Sequence, residues 1–378
     1  WNATRTGAPQ SEFYATVFGP GLGDNFPVIV DTNGVPVWWS EPRATILLAP
    51  LPNGNLATFG YLGSMVERNL DGTETARVFT DGAISDPHDV LLLPNGNYVL
   101  ATLDARPCDL TDWGASATAN CLYHTFQELE PDGDVVWSWG AEEDIPITET
   151  SDKWRRVRDL SGRADPWHYN SVEWTGDGFI ISFRHLDAVY KVDYDTKDVV
   201  WKLGGSTRPE SLEVLDDPVF DAGGSISGQH DARLLSGGVV SLFDNGSQVG
   251  RAPRSVAYDI DEGAMTATLV SDVTDPIAPT SFCCGSTRRV EGGNWVTAWG
   301  GTKWFSENEP DGDQVFRLAA GFFYRVVPLT SSWHTRDELR AGMDAQFDDG
   351  VAVAPATANA AAAPPVDMAN VLGIPTGD

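Results

Sequence analysis

A short polar turn between two apolar, β-rich stretches recurs six times in the chain: DTNG at 31–34, NLDG at 69–72, EPDG at 130–133, DYDT at 193–196, DIDEG at 259–263 and EPDG at 309–312. Asn, Asp and Gly tolerate the positive φ of tight hairpin turns, so each reads as a hairpin. A second kind of hairpin precedes five of them: LLAPLPNGNLATFG, DVLLLPNGNYVLAT, NSVEWTGDGFIISF, DARLLSGGVVSLF and STRRVEGGNWVTAW. Two hairpins make a four-stranded unit, and six of one kind with five of the other leave one unit split. The split unit has its second hairpin at residues 25–40, behind EFYATVFG, while GFFYRVVPL at 321–329 has no later partner. The simplest arrangement is an all-β, six-bladed β-propeller whose C-terminal strand completes the N-terminal blade. A β-sandwich would not generate six matching turns.

The propeller is expected over residues 1–331. Residues 332–378 hold a helix candidate, SSWHTRDELRAGMDAQF, followed by an irregular Ala/Pro-rich stretch expected to lie along the surface. Two polar insertions, 104–122 and 141–166, lead toward histidine-bearing segments, and long loops in compact folds are commonly functional. The net charge of −29 over 378 residues repels nucleic acid and anionic lipid, so neither is expected as a partner. A site for an anion would need local positive charge. No apolar run approaches the ~18 residues of a membrane span. The chain starts at Trp1 without a charged-then-apolar leader, so a secretion signal is expected to have been removed or never included. Cys108 and Cys121 flank a loop that a disulfide would pin. Cys283 and Cys284 are adjacent, either as a strained disulfide or as two buried thiols. The even count fits an oxidising compartment, secreted or periplasmic. Asn2 and Asn245 begin glycosylation sequons.

The chain has six histidines, and three fall at one repeat position. His88 in DPHDV, His168 in DPWHYNS and His230 in GQHDA open the first strands of three consecutive blades, where residues converge on the central channel. Arg184, in SFRH, closes the second strand of the middle one. The aligned positions elsewhere are Thr102, Asp244 and Trp299, so Arg184 is not part of the repeat scaffold. A lone strand-end histidine is usually a structural hydrogen-bonder; three at one repeat position argue for a site. His124, His185 and His334 are read as structural, with His185 also kept among the substrate-binding candidates in a supporting place. The Asp after His88 and after His230 is expected to orient the ring or cap local backbone. Three imidazoles and a guanidinium suit a sulfate or phosphate, with a histidine available as nucleophile. Three imidazoles also suit zinc or iron, but Arg184 argues for an anion; neither a metal nor a cofactor is expected.

At DPHDV, WHYNS with SFRH, and GQHDA the sequence resembles the arylsulfate sulfotransferase family, over about residues 25–330. CCGSTRRVEGGNWVTAWGG, the insertions and the acidic surface look like its actinobacterial and fungal branch. The resemblance implies a six-bladed propeller, periplasmic or secreted, moving a sulfuryl group between phenols by a ping-pong route. Carried over by motif, His230 is the nucleophile, His88, His168 and Arg184 bind the sulfuryl oxygens, and Asn170 supports them; His88 is the chosen base. A phenolic ring, the expected small aromatic substrate, could stack on Trp167, Trp299, Phe183 or Phe282. Two other readings stay open: a lyase, hydrolase or isomerase reusing the pocket, with or without metal, and a non-catalytic binding propeller. The latter would spread contacts over many loops rather than gather imidazoles.

Overall fold

The computed structural model describes residues 2–19, 25–41, 45–60, 63–159 and 161–347. Six antiparallel-built sheets form the blades of a propeller. Blade one runs Ala49–Pro50, Leu56–Phe59, Met65–Arg68 and Glu74–Val78; blade two runs Leu91–Leu92, Tyr98–Cys108, Thr125–Leu129 and Val135–Gly140. Blade three is Tyr169–Trp174, Gly178–Phe183, Ala188–Asp193 and Val199–Gly204. Blade four is His230–Leu234, Val239–Asp244, Arg254–Asp261 and Thr266–Val273, and blade five is Ser286–Arg289, Trp295–Ala298, Trp304–Asn308 and Gln314–Ala319. Blade six is the split one. Val326–Leu329 supplies its inner strand and pairs with Phe13–Phe18, followed by Phe26–Asp31 and Pro36–Trp39.

Four added strands escape the repeat pattern, two of them, Ile84–Ser85 and Ala119–Tyr123, pairing with Tyr98–Cys108 of blade two. Asn2–Arg5 pairs with the outer strand of blade five, so the N-terminal segment serves two blades. Glu213–Leu215 adds a parallel strand to blade four. The helix Arg336–Phe347 buries Leu339 and Met343 against Val37 and Trp38 of blade six. The Ala/Pro-rich stretch beyond it lies outside the described residues. Cys108 and Cys121 are joined, and Cys283 and Cys284 are buried free thiols. The sequon at Asn245 is buried, so it presents no acceptor at the surface.

Neighbouring blades are latched by a device that the turn sequences half reveal. In blade two, Asn95 and Asn97 of the PNGN turn donate to Glu128 Oε1 at 2.9 and 2.6 Å, and Tyr194 of blade three donates to Glu128 Oε2 at 2.8 Å. Glu67 takes the same role in blade one, receiving Asn53, Asn55 and Tyr98 of blade two. Glu307 does so in blade five, receiving Asn294 and Tyr14 of blade six. Each carboxylate therefore has both oxygens satisfied, which a buried charge requires.

The channel is crossed by a buried ionic cluster. Asp89 accepts from Arg325 at 2.5 Å and Arg233 at 2.6 Å. Asp231 accepts from Arg288 at 2.7 and 2.8 Å and from Arg233 at 3.0 Å. Arg325 also donates to the Asn170 carbonyl and Arg233 to the Val172 carbonyl. Blades two to six are thereby tied together. This corrects the expectation for the Asp after each histidine. Asp89 does cap the Val90 amide, but both carboxylates turn away from the rings into the arginines.

Burial would raise both carboxyl pKa values, yet the arginines outweigh it and hold them below the usual range. Their stabilisation is therefore present above the unfolded value near ~3.9 and lost as pH falls through the lower folded value. Asp231→Asn should cost about 3–5 kcal/mol at neutral pH, because it leaves buried guanidiniums underpaired. The deficit should shrink as the buffer is taken below pH ~4. Urea unfolding at both pH values checks this, and a wild-type midpoint at neutral pH would contradict it.

Candidate functional site

The segments leading into the first strands of blades two and three share a local device. In Asp86-Pro87-His88, Asp86 Oδ1 accepts the His88 amide at 2.9 Å and meets its ring Nδ1 at 2.5 Å. In Asp165-Pro166-Trp167-His168, Asp165 accepts the His168 amide at 3.0 Å and meets its Nδ1 at 2.6 Å. Each carboxylate fixes backbone and ring at once: Nδ1 carries a proton toward it, and Nε2, facing away, is the atom left to take up or release one. The orienting aspartates precede the histidines, in two of the four Asp-Pro pairs of the sequence. The two rings stand edge to face, with centroids 5.3 Å apart.

His230 is held differently. Its Nδ1 lies 2.9 Å from both the Gly228 carbonyl and Asn245 Oδ1. Asn245 is oriented by its own amide, which donates to Ser281 and the Cys284 carbonyl. Both neighbours of Nδ1 are acceptors, so Nδ1 carries the proton and Nε2 the lone pair. The Cys284 amide donates to that lone pair at 3.2 Å. Burial, followed by the Arg184 guanidinium, pushes the His230 pKa well below its ordinary value. The ring is neutral at neutral pH, with Nε2 as its basic atom.

Arg184 sits in the 3-10 turn Arg184–Leu186 that ends blade three's second strand. It donates to the Phe282 carbonyl at 2.6 Å and to His185 Nε2 at 2.9 Å, and lies 4.3 Å from the Trp154 ring centroid. It is 2% exposed. Buried Arg233, Arg254 and Arg325 and half-buried Arg288 all meet carboxylates; among the described residues, no carboxylate lies within ion-pair distance of Arg184. A buried cation without a counter-charge is costly, and here burial lowers its pKa. The Nε of Arg184 and the Nε2 of His88 are both buried without a hydrogen-bond partner.

His185 is stacked between His168, at 4.5 Å, and Trp154, at 4.8 Å. Its Nε2 accepts from Arg184. Asp165, His168 and His185 offer ligand atoms within 4.8 Å of one another. However, His185 uses Nδ1 on the Asp165 carbonyl and Nε2 on Arg184, so its ring has no lone pair left for a metal. Arg184 adds a positive charge beside it.

His124, read as structural, lies 3.5 Å from Asp165 and 3.4 Å from Asp86. Burial opposes its charge, but the hydrogen bond to Asp165 and the fields of both carboxylates raise its pKa. It lies between the two orienting aspartates, and it occupies no repeat position that could have revealed it.

The other expected contacts are placed elsewhere. Asn170 is fully buried, donating to the Gln229 carbonyl and accepting the Asp231 amide, so it stitches blade three to blade four. Trp167 and Phe183 pack in the core of blades two and three, with the Trp167 indole on the Ile145 carbonyl. Trp299 packs on Phe243 and donates to Ser306. These side chains are taken up by blade packing rather than by a ring-binding surface. Phe282 is the exception, 51% exposed. With Trp154, Val157, Arg184, Gln248 and Arg251 it lines a cavity of about 570 Å³. Trp154 comes from the 141–166 insertion, whose length was the signal for it.

A family model described as Arylsulfotransferase (ASST) matches residues 11–329. Among solved structures, a protein of unknown function from Bacteroides caccae has a TM-score of 0.52 at 12% identity, covering 84% of this chain and 99% of that one. Virginiamycin B lyase from Staphylococcus aureus gives 0.45 at 8% identity, covering 83% and 87%. The periplasmic gluconolactonase of Pseudomonas aeruginosa gives 0.43 at 11%, covering 84% and 99%. At these identities the likeness is of fold alone. No curated protein matches the chain significantly.

Inorganic sulfate should raise the Tm of the wild type, because a ligand that binds only the folded state stabilises it. Arg184→Met should match or exceed the wild-type Tm without sulfate and lose the sulfate-dependent rise. An equal rise in both proteins would disprove the anion site at Arg184.

Proposed function

Because the chain belongs to the arylsulfotransferase family, we propose that it moves a sulfuryl group from an aryl sulfate to a phenolic acceptor through an intermediate on His230. Sulfotransferase-like chemistry is what the family model supports in general; the residue roles are our reading of the geometry. The observation that carries it is Arg184, a buried guanidinium without a carboxylate, beside a neutral histidine whose lone pair is on Nε2.

In the first half-reaction, the Nε2 lone pair of His230, giving up its hydrogen bond from the Cys284 amide, forms the N–S bond as the bond from sulfur to the aryl oxygen breaks. The bonding pair leaves on that oxygen. His88, as its imidazolium with Nδ1–H held by Asp86, gives its Nε2 proton to the departing phenolate. In the second half, the acceptor hydroxyl returns a proton to His88 Nε2, its oxygen bonds to sulfur, and the N–S pair returns to His230. Arg184 and His168 hold the sulfuryl oxygens, where charge is concentrated. The aromatic ring lies in the cavity edged by Phe282 and Trp154. The Cys108–Cys121 bond suits the proposed secreted or periplasmic location.

With 4-nitrophenyl sulfate, the wild type should release a burst of nitrophenol and gain one sulfuryl group on the peptide carrying His230. His230→Ala should lose both, with turnover down by about 10³-fold or more. Because the His230 pKa is depressed, its ionisation should place no acid limb near pH 6.5 in the burst rate. Turnover that survives intact in His230→Ala would refute the nucleophile assignment.

A further inference from the structure

Six residues occupy the positions that lead into or open the inner strands of the six blades: Ile46, His88, His168, His230, Cys284 and Tyr324. Three are the site histidines. Ile46, Cys284 and Tyr324 cluster together with Cys283, so the channel end is imidazole on one half and largely apolar on the other. Tyr324 is the polar member of the second half. It stands in blade six, across the ring from blade three, which carries His168 and Arg184.

Tyr324 is 2% exposed, and its ring lies 5.7 Å from His88 and 6.4 Å from His230, centroid to centroid. Its hydroxyl is buried without a hydrogen-bond partner. A phenylalanine would fill the same space without that penalty, so packing does not account for the oxygen. Two other buried polar atoms without partners, His88 Nε2 and Arg184 Nε, belong to the same site. Unpartnered groups at one site fit a ligand that brings several acceptor oxygens. Burial pushes the phenol's pKa well up, so the group stays O–H and acts as a donor.

We propose that Tyr324 is a further catalytic residue, its hydroxyl donating a hydrogen bond to an oxygen of the sulfuryl group as that group passes on and off His230. It acts from the side of the channel opposite Arg184. The proton is not transferred: His88 keeps the acid–base role, and Tyr324 lowers the charge on sulfur-bound oxygen. The assignment rests on the sulfuryl-transfer reading above.

Tyr324→Phe removes one oxygen and keeps the ring. Its Tm should equal or exceed the wild-type value, while the nitrophenol burst rate with 4-nitrophenyl sulfate falls about 10²–10³-fold, the effect of losing one preorganised donor. Calorimetry should show weaker binding of inorganic sulfate. A wild-type burst rate in the variant would overturn the proposal, as would a lowered Tm with an unchanged burst rate, which would make Tyr324 a packing residue. If the wild type itself gives no burst, the sulfuryl-transfer reading fails, and calorimetry then decides for Tyr324 separately. Equal sulfate affinity in wild type and variant would exclude its role as an anion donor.

Discussion

The buried pairing of Asp89 and Asp231 with Arg233, Arg288 and Arg325 is the constraint on which the channel depends. Propeller blades pack through apolar faces, which resist separation but leave sliding and rotation weakly defined. Charged groups in a low-dielectric interior tolerate little misplacement, since a broken contact leaves an uncompensated charge. Because Asp89 and Asp231 each follow a site histidine directly, the cluster fixes the backbone from which those imidazoles project. Stability and site geometry are therefore carried by adjacent residues on the same strands.

Above that layer, each histidine is oriented by a distinct partner. Carboxylates fix the Nδ1 side of His88 and His168, and at His168 the carboxylate offsets only part of the burial that lowers the ring's pKa. A carbonyl and an amide oxygen on Nδ1 of His230 fix its tautomer without adding negative charge. Three chemically identical side chains at one repeat position are thus differentiated by their neighbours, which is the pattern expected where one acts as a nucleophile and others hold or move charge. His124 between Asp86 and Asp165 offsets part of the negative charge of the two carboxylates.

The blade count, the composite closure and the clustering of His88, His168, His230 and Arg184 were legible because they follow from turn chemistry and repeat position. What escaped was whatever depends on contacts between repeats. Asn170 does support the cluster, gripping the backbone on both sides of His230, whereas Trp167, next to His168 in sequence, turns into the core beside Ile145, and there nearness in sequence misled. Tyr324 and Cys284 share the histidines' position in other blades, but a different side chain hides the equivalence. The Glu67, Glu128 and Glu307 latches join residues from two blades, so only the PNGN half could be seen in one segment. Trp154 belongs to an insertion with no repeat counterpart at all.

Blade six joins Val326–Leu329 to Phe13–Phe18, and this carries a consequence for how the chain is made. During synthesis the first blade strands emerge without the strand that completes their sheet, and it arrives only after five whole blades have been translated. The N-terminal hairpin must wait with an open edge, the kind of edge that pairs with other chains when left exposed. Arg325, beside the closing strand, also completes the ionic cluster, so the last segment to arrive both shuts the ring and supplies Asp89 with its closest arginine. Rejoining the ends by a linker and reopening the chain at a turn such as 130–133 would remove that wait, giving a protein with the same channel but a different order of assembly.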